Sequence, residues 1–226
     1  MPKESDVIKN TRSPITYDRF RADIQKLGVC PGDVLFVHSS LSAVGWVCGG
    51  ASTVCDALTH AGGKDGTVVM PAHTRSNSDP AKWEAPPVPA AWHDTIRETM
   101  PPFDKEKAPC EGVGKIAECF RHYPGTLRSD HPQTSFCASG KDAAYITEGH
   151  ALTPQFGDDS PVGKGMRLNA KVLLIGVGIL MTVRNRGLQF RKFGYAMKNT
   201  IGKIFKKGEA KEGEITPFQA MSTALA

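Results

Sequence analysis

Short runs of consecutive apolar residues recur along the chain and predict the buried strands of a sheet. The clearest runs cover residues 34–37, 67–70 and 171–177, and a shorter one covers residues 136–139. Runs in which polar and apolar positions do not alternate are typical of strands that are covered on both faces. The pattern therefore predicts a sheet in the interior of the protein.

Segments with apolar positions at helical spacing lie between these runs. They predict helices over residues 16–27, 51–61, 112–122 and 143–147. Because strands alternate with helices, the order of elements predicts the α/β class with a mainly parallel central sheet. From residue 180 onwards the periodicity is weak, and no element is predicted there.

The composition excludes several classes of protein. The 226 residues are 40% hydrophobic and 23% charged, which is typical of a globular chain. The longest apolar stretch, residues 172–183, is shorter than the roughly 20 residues of a membrane-spanning helix. No secretory signal is recognised at the N-terminus, the six cysteines are interpreted as reduced thiols, and the spacing of His and Cys predicts no metal site. We therefore expect a cytoplasmic protein without a membrane partner.

Positive charge is concentrated near the C-terminus. The net charge is +5, and residues 178–208 hold eight basic residues and no acidic one, which leaves the rest of the chain net acidic. A basic run can attract nucleic acid or anionic lipid. The same run is also typical of a solvated helix face or a loose tail, and this second interpretation is favoured.

An acidic, proline-rich segment covers residues 79–111. It holds seven acids against four bases, seven of the 16 prolines, and two tryptophans, Trp83 and Trp92. So many prolines argue against a regular element, and the tryptophans indicate an ordered segment. Long ordered loops in compact domains are commonly functional. The segment is predicted to be a loop over a pocket that prefers cations.

A polar loop follows the first predicted strand and leads into the helix over residues 51–61. It begins HSSLS at His38 and contains Gly45, Gly49 and Gly50. Backbone N–H groups at the start of a helix, together with serine hydroxyls, favour an anion such as a phosphate. Ligands of open α/β sheets bind at the carboxyl ends of strands. The alternative, a well-capped turn from strand to helix, remains open at this point.

Five motifs in order carry a resemblance to a known family: HSSLSAVGWVCGG, GTVVMPAHT, PPFD, RSDHPQTSF and FGDDSPVGK. Together they resemble the antibiotic N-acetyltransferase family, the acetyl-CoA-dependent aminoglycoside 3-N-acetyltransferases and their relatives. The resemblance covers residues 16–178. It implies a layered α/β sandwich with helices on both faces of the sheet, and direct transfer of an acetyl group to the 3-amino group of a 2-deoxystreptamine aminoglycoside.

The resemblance also implies positions for the site residues. Acetyl-CoA, as co-substrate, would be bound by His38, Ser39, Ser40, Leu41 and Ser42, with Ser160 and Gly163 closing the cofactor side. Thr74 would lie near the thioester. The polycationic amine would be held by Asp79 and Asp104, since both belong to the acidic segment. No metal is implied.

The chain departs from the family after Gly178. Family members carry a T-S-L-H-L-A-E segment at this point, whose His is the general base and whose Glu orients it. Here the sequence continues ILMTVRNRGLQFRKFG, and no histidine follows His150. The C-terminal part is therefore interpreted as truncated or divergent, with an acetyltransferase-like domain over residues 1–178 and a divergent basic segment over residues 179–226. His131, in RSDHP, becomes the candidate base.

Three functions are ranked on these grounds. The first is an aminoglycoside N3-acetyltransferase that confers antibiotic resistance. The second is a catalytically inactive family member that still binds acetyl-CoA. The third is a nucleic-acid-binding protein that acts through basic residues 184–211, which is the least favoured. A monomer or a homodimer is expected.

Overall fold

The computed structural model describes residues 3–84 and 86–176. The predictions for the divergent segment over residues 179–226, including the basic run, lie outside the described residues. Among the helices that the structure describes, none is both long enough and apolar enough to cross a membrane.

Five strands form one sheet, and helices connect them. The strands are β1 (Val34–Ser39), β2 (Thr67–Pro71), β3 (Leu127–Arg128), β4 (Phe136–Gly140) and β5 (Lys171–Ile175). The helices are α1 (Glu4–Asn10), α2 (Tyr17–Lys26), α3 (Leu41–Val44), α4 (Gly50–Gly62), α5 (His93–Thr99), α6 (Gly114–Arg121), α7 (Ala143–Thr147) and α8 (Pro161–Arg167). The four strands and four helices that the apolar pattern predicts are all present.

The strands lie in the order β3-β4-β2-β1-β5. Strand β1 is parallel to both β2 and β5, whereas β4 is antiparallel to both β2 and β3. Four of the five strands therefore run in one direction, which confirms a mainly parallel sheet. The reversal of β4 was not predicted. It has a simple cause, since the short connection from β3 to β4 leaves no room for the crossover that a parallel pair needs.

Helices cover both faces of the sheet, as the resemblance implied. On one face α2, α4 and α6 pack against strand residues that include Leu35, Val37 and Met70. On the other face α7 and α8 pack against Phe36, Val69 and Phe136. The two apolar clusters use alternate residues of the same strands because successive side chains of a strand point to opposite faces.

The acidic segment over residues 79–111 contains regular structure, contrary to the prediction of a loop without it. It forms two 3₁₀ turns, Pro80–Lys82 and Ala90–Trp92, and helix α5. Asp79 caps the first turn by accepting a hydrogen bond from the N–H of Ala81. Arg97 of α5 forms ion pairs with Asp79 and Asp94. Local capping and ion pairs thus give order to a proline-rich sequence.

Candidate functional site

A cavity of about 670 Å³ lies at the carboxyl end of β1. One wall consists of Ser39, Ser40, Leu41 and Ser42, and the facing wall is the chain from Cys110 into the first turns of α6. This position, outside the end of a parallel strand, is where α/β sheets bind ligands. Of the residues predicted to bind the cofactor, the structure brings these four together around the cavity.

Local geometry turns the serine loop into the cavity. Ser39 ends β1 opposite Ile175, and the N–H of Ser40 donates to the carbonyl oxygen of Ile175, 3.0 Å away. The single turn of α3 ends at Gly45, and the chain enters α4 through Gly49, whose φ of 78° lies in the left-handed region. Glycine adopts this φ without steric cost, so the loop closes tightly around the cavity.

The lining of the cavity is largely apolar, with hydroxyls on one side. Leu41, Trp46, Val47 and Val113 supply apolar surface. The hydroxyls of Ser40 and Ser42 lie 3.5 Å apart. Such a surface suits a ligand arm that is mostly neutral and carries a few hydrogen-bonding groups.

Three charged side chains line the same cavity: Glu4, Lys115 and Glu118. Burial raises the pKa of Glu118, but hydrogen bonds from Arg121 and from the N–H of Cys110 outweigh this effect and bring the pKa to about 2. Glu118 is therefore a carboxylate at all ordinary pH values. The lining of this cavity, taken alone, holds two acids and one base.

The side chain of His38 lies on the other face of the sheet from that of Ser39, and His38 does not line the cavity. It precedes Ser39 in β1, so the two side chains point to opposite faces. His38, His131 and His150 each interact electrostatically with His73, and we call these four residues the histidine cluster. The ring centroids of His131 and His150 lie 4.6 Å apart. The ring centroid of His73 lies 5.4 Å from that of Phe136, in an edge-to-face arrangement. Burial lowers the pKa of His38.

His131 is held in a way that does not suit a general base. The residue is 2% exposed, and its Nδ1 accepts hydrogen bonds from the N–H groups of Gln133 and Thr134 at 3.1 and 3.0 Å. Because N–H groups only donate, the proton of the neutral ring resides on Nε2. The lone pair that would accept a proton is already engaged. These contacts fix the turn between β3 and β4, so they favour a structural interpretation of the HP motif.

Thr74 lies beyond the end of β2 and is bound to a buried arginine. It is 1% exposed, and its Oγ1 accepts a hydrogen bond from Arg128 at 2.8 Å. It does not line the cavity. The predicted position of Thr74 near the thioester of acetyl-CoA is not tested by this structure.

Sequence reasoning missed Arg128, the arginine of RSDHPQTSF. Its guanidinium donates to Ser135 Oγ and to the carbonyl oxygens of Lys105, Ala108 and Ala72, in addition to Thr74. Burial lowers its pKa. Arg128 thereby links residues 105–108, which follow PPFD, to the chain just after β2. No sequence signal could reveal this, since most of its acceptors are backbone carbonyls.

Ser160 caps the N-terminus of α8, and Gly163 lies in the first turn of this helix. The Oγ of Ser160 accepts from the N–H of Gly163 at 3.1 Å and donates to the carbonyl oxygen of Gly157 at 2.6 Å. A Cβ at Gly163 would lie 2.5 Å from the carbonyl oxygens of Gly157 and Asp158. Both residues belong to the helix layer on the face away from the cavity, and their predicted contact with the cofactor is untested.

Asp79 and Asp104 are exposed carboxylates that already have cationic partners. Asp79 pairs with Arg97 at 2.9 Å, and Asp104 pairs with Lys107 at 3.0 Å. The N–H of Ala81 and the side chain of Arg97 lower the pKa of Asp79. The side chain of Lys107 and the N–H of Glu106 lower the pKa of Asp104. Both are charged at neutral pH, and a polycationic ligand would compete with Arg97 and Lys107 for them. Among the described residues, no group of three or more His, Cys, Asp or Glu side chains could hold a metal ion.

Comparisons with known proteins agree on one family for most of the described chain. The model of the family described as aminoglycoside 3-N-acetyltransferase matches residues 36–182. A second model, that of the sodium:alanine symporter family, matches residues 165–226, most of which lie outside the described residues. This second match covers a minor part of the chain.

The relatives are similar in sequence and in structure. The aminoglycoside N(3')-acetyltransferase-like protein YokD of Bacillus subtilis is 42% identical over 171 residues, which is 75% of this chain and 63% of YokD. Aminoglycoside N(3)-acetyltransferase VIII of Streptomyces fradiae is 36% identical, over 76% of this chain and 60% of the relative.

Two solved structures are similar as well. The crystal structure of YokD matches with a TM-score of 0.74 and 41% identity, covering 76% of this chain and 64% of that one. The structure of AAC-IIIb in a binary complex with CoASH matches with a TM-score of 0.63 and 34% identity, covering 72% and 59%. The chain thus spans about 60% of the length of the relatives it matches. By the family model and by these identities, it belongs to the aminoglycoside 3-N-acetyltransferase family.

Proposed function

We propose that this chain binds acetyl-CoA in the cavity beside the serine loop and transfers the acetyl group to the 3-amino group of a 2-deoxystreptamine aminoglycoside. The observation that carries the proposal is the convergence of Ser39, Ser40, Leu41 and Ser42 on one cavity at the end of β1. A related structure was solved with CoASH, and curated relatives are named aminoglycoside N(3)-acetyltransferases.

The transfer reaction consists of four events. The lone pair of the amine attacks the thioester carbonyl, the C–S bond breaks, the amine loses a proton, and the departing sulfur gains one. Hydrogen-bond donors near the carbonyl oxygen stabilise the tetrahedral intermediate. The serine hydroxyls of the loop are suitable donors, and the apolar part of the lining suits the neutral arm of the thioester.

The cationic acceptor is expected on the side of the acidic segment. Asp79 and Asp104 are ionised and partly exposed, and they match the charge of an aminoglycoside. Their present partners are exposed Arg97 and Lys107, and such surface ion pairs contribute at most about 1 kcal/mol. A multiply charged ligand would therefore displace them at little cost.

The second candidate, acetyl-CoA binding without transfer, is favoured by one observation. The candidate base His131 uses its acceptor nitrogen in backbone hydrogen bonds, and no histidine follows His150 in the sequence. Binding and transfer are separable properties, so they are tested separately. The third candidate, nucleic-acid binding through residues 184–211, depends on residues outside the described part, and it stays a prediction, as does the cytoplasmic location.

The test combines calorimetry with mass spectrometry. Acetyl-CoA is titrated into the purified chain, and kanamycin is then incubated with chain and acetyl-CoA and examined for the mass of one added acetyl group. The variant with Ser39→Ala and Ser40→Ala is expected to bind acetyl-CoA about thirtyfold more weakly, because it loses two hydroxyl donors of about 1 kcal/mol each. Ser52→Ala is the matched control, since Ser52 lies on α4 outside the cavity lining.

The outcomes separate the candidates. Acetylated kanamycin well above the level without protein supports the enzyme. Binding of acetyl-CoA without acetylated product supports the second candidate. Unchanged affinity in the double serine variant, or equal loss in the Ser52 control, contradicts the assignment of the cavity.

A further inference from the structure

The wall of the cavity that faces the serine loop begins with a stretch that has no helix or strand of its own. This stretch, residues 110–113, leads from the acidic segment into α6, and we call it the wall segment. Three of its residues line the cavity, namely Cys110, Gly112 and Val113. Because it lacks the repeated hydrogen bonds of a regular element, its position depends on individual contacts. Two carboxylates supply these contacts.

The first carboxylate, that of Glu118, holds the wall segment against α6. Its Oε2 accepts a hydrogen bond from the N–H of Cys110 at 2.7 Å. Arg121 donates to Oε1 of Glu118 at 2.6 Å and to Oε2 at 3.2 Å, so the charge of this carboxylate is offset by a guanidinium. Since Glu118 itself lines the cavity, a variant at this position would change the surface that a ligand meets as well as the wall segment.

The second carboxylate, that of Glu111, holds the wall segment against the chain that follows β2. Its Oε2 accepts from the backbone N–H of Ser76 at 2.9 Å, and its Oε1 accepts from the hydroxyl of Ser76. The N–H of Glu111 donates to the carbonyl oxygen of His73 at 2.7 Å. Glu111 is not among the described residues that line the cavity. An effect of its side chain on a ligand there would therefore pass through the wall segment.

The two carboxylates hold neighbouring residues from different sides. Hydrogen bonds to a charged acceptor are roughly twice as strong as those between neutral groups, and Glu111 accepts two of them from one residue. A binding surface that is already in place before the ligand arrives gives higher affinity than one that the ligand must order. The contacts of Glu111 are of the kind that keeps such a surface in place.

We propose that Glu111, through its two hydrogen bonds from Ser76, is a positioning residue for acetyl-CoA and holds the wall segment where Cys110, Gly112 and Val113 meet the ligand. This role rests on the proposed function, since it concerns the same cavity and the same ligand. It requires acceptor oxygen at residue 111, and it does not require a negative charge. A residue that contacted the ligand through its charge would have the opposite requirement.

The test is calorimetric titration of acetyl-CoA into the full chain and its variants at residue 111. Glu111→Ala removes both acceptor oxygens and is expected to bind about tenfold more weakly, because the wall segment is then in place for only about a tenth of the time. Glu111→Gln keeps a carbonyl oxygen for the N–H of Ser76 and gains an amide that can donate to its hydroxyl, so its affinity should stay within about twofold of the native value. The control Glu148→Ala removes an exposed carboxylate at the end of α7, outside the cavity lining, and should bind as the native chain does.

Two further measurements distinguish positioning of the wall segment from a general contribution to stability. Ser76→Ala removes only the hydroxyl of an exposed residue, and a severalfold loss of affinity is expected. The double variant Ser76→Ala/Glu111→Ala should bind no more weakly than Glu111→Ala, since both changes break the same contact. Without ligand, hydrogen exchange of residues 109–114 should be faster in Glu111→Ala than in the native chain, and saturating acetyl-CoA should slow it again.

Each outcome decides a different point. Unchanged affinity in Glu111→Ala overturns the role of Glu111 and leaves the proposed function intact, and unchanged affinity in Ser76→Ala decides the same point if Glu111→Ala does not fold. A loss in Glu111→Gln as large as in Glu111→Ala also overturns the role, since the ligand would then depend on the charge. An equal loss in Glu148→Ala overturns it as a general disturbance. A native chain that does not bind acetyl-CoA overturns the proposed function, and the role of Glu111 with it.

Discussion

At the scale of single residues, buried polar side chains dominate the described structure around the ends of β1 and β2. Among these side chains, His73 interacts electrostatically with the three other members of the histidine cluster and with Arg128. Burial, together with the positive charges of His38, His131, His150 and Arg128, lowers its pKa to about 4. The imidazole of His73 is therefore neutral in the folded protein at pH 7, and its Nε2 is buried without a hydrogen-bond partner in the described residues.

This environment predicts a loss of stability in mild acid. In the unfolded chain a histidine has a pKa of about 6.5, so the unfolded state binds more protons between that pH and about 4. The stability that His73 contributes is complete above pH 6.5 and is lost as the pH falls towards 4, on the order of 3 kcal/mol in total. Urea unfolding at pH 7.5, 6 and 5 should show a falling free energy of unfolding.

The control uses glutamine at two histidines. His73→Gln should flatten the dependence of stability on pH, because it removes one group that titrates between the folded and unfolded values. His93→Gln, on α5 and outside the histidine cluster, should leave the slope as it is in the native chain. Equal slopes in the native chain and in His73→Gln would contradict the assignment.

At the scale of elements, α8 depends on residues without side chains to approach the sheet. The buried residues of α8 are Pro161, Gly163, Lys164 and Gly165, and two of these four are glycines. A Cβ at Gly165 would overlap the ring of Phe36 on β1. The helix can approach the sheet this closely because residue 165 has no Cβ. This contact lies on the same face of the sheet as His38.

Gly165→Ala is expected to lower the free energy of unfolding by about 1–2 kcal/mol. The overlap with Phe36 costs about 1–3 kcal/mol, and the better helix propensity of alanine offsets up to about 1 kcal/mol of it. Chemical denaturation measures the difference. Met166→Ala, at an exposed position of the same helix, should change stability by less than about 0.5 kcal/mol. A variant as stable as the native chain would show that Phe36 can yield at no cost.

At the scale of the whole molecule, one edge of the sheet is apolar and uncovered within the described residues. Leu173 and Ile175 of β5 are buried against the α2, α4 and α6 layer, whereas Val172 and Leu174 point the other way and are 59% and 37% exposed. No strand that the structure describes pairs with the outer side of β5. An exposed apolar edge strand is a template for pairing with another chain.

We therefore expect self-association that depends on β5. Sedimentation velocity over a range of concentrations should show a sedimentation coefficient that rises with concentration for the native chain. The double variant Val172→Lys/Leu174→Lys should remain at the value of the monomer, because charge on an edge strand opposes pairing. Leu152→Lys replaces a leucine in a loop that is 66% exposed, and this variant should behave like the native chain. Indistinguishable behaviour of the β5 variant and the native chain would contradict the expectation.

Local pattern alone was enough to predict several features. The apolar runs located β1, β2, β4 and β5, because the burial of a strand on both faces demands consecutive apolar residues wherever the strand lies in the fold. Helical spacing located α2, α4, α6 and α7 for the corresponding reason. The serine loop was predictable as a segment at the carboxyl end of a strand, since it follows a strand and precedes a helix with glycines between them.

Tertiary structure decided the rest, because these features depend on contacts between residues far apart in the chain. His38 and Ser39 are neighbours in sequence, yet the pleat of β1 sends them to opposite faces, and only one of them reaches the cavity. The histidine cluster draws on positions from His38 to His150, and Arg128 is bound mainly by backbone carbonyls, which have no sequence signature. The sequence by itself thus determined which segments are strands and helices and which loop connects β1 to α4. The packing of those segments decided which polar groups line a cavity and which are buried to hold the fold.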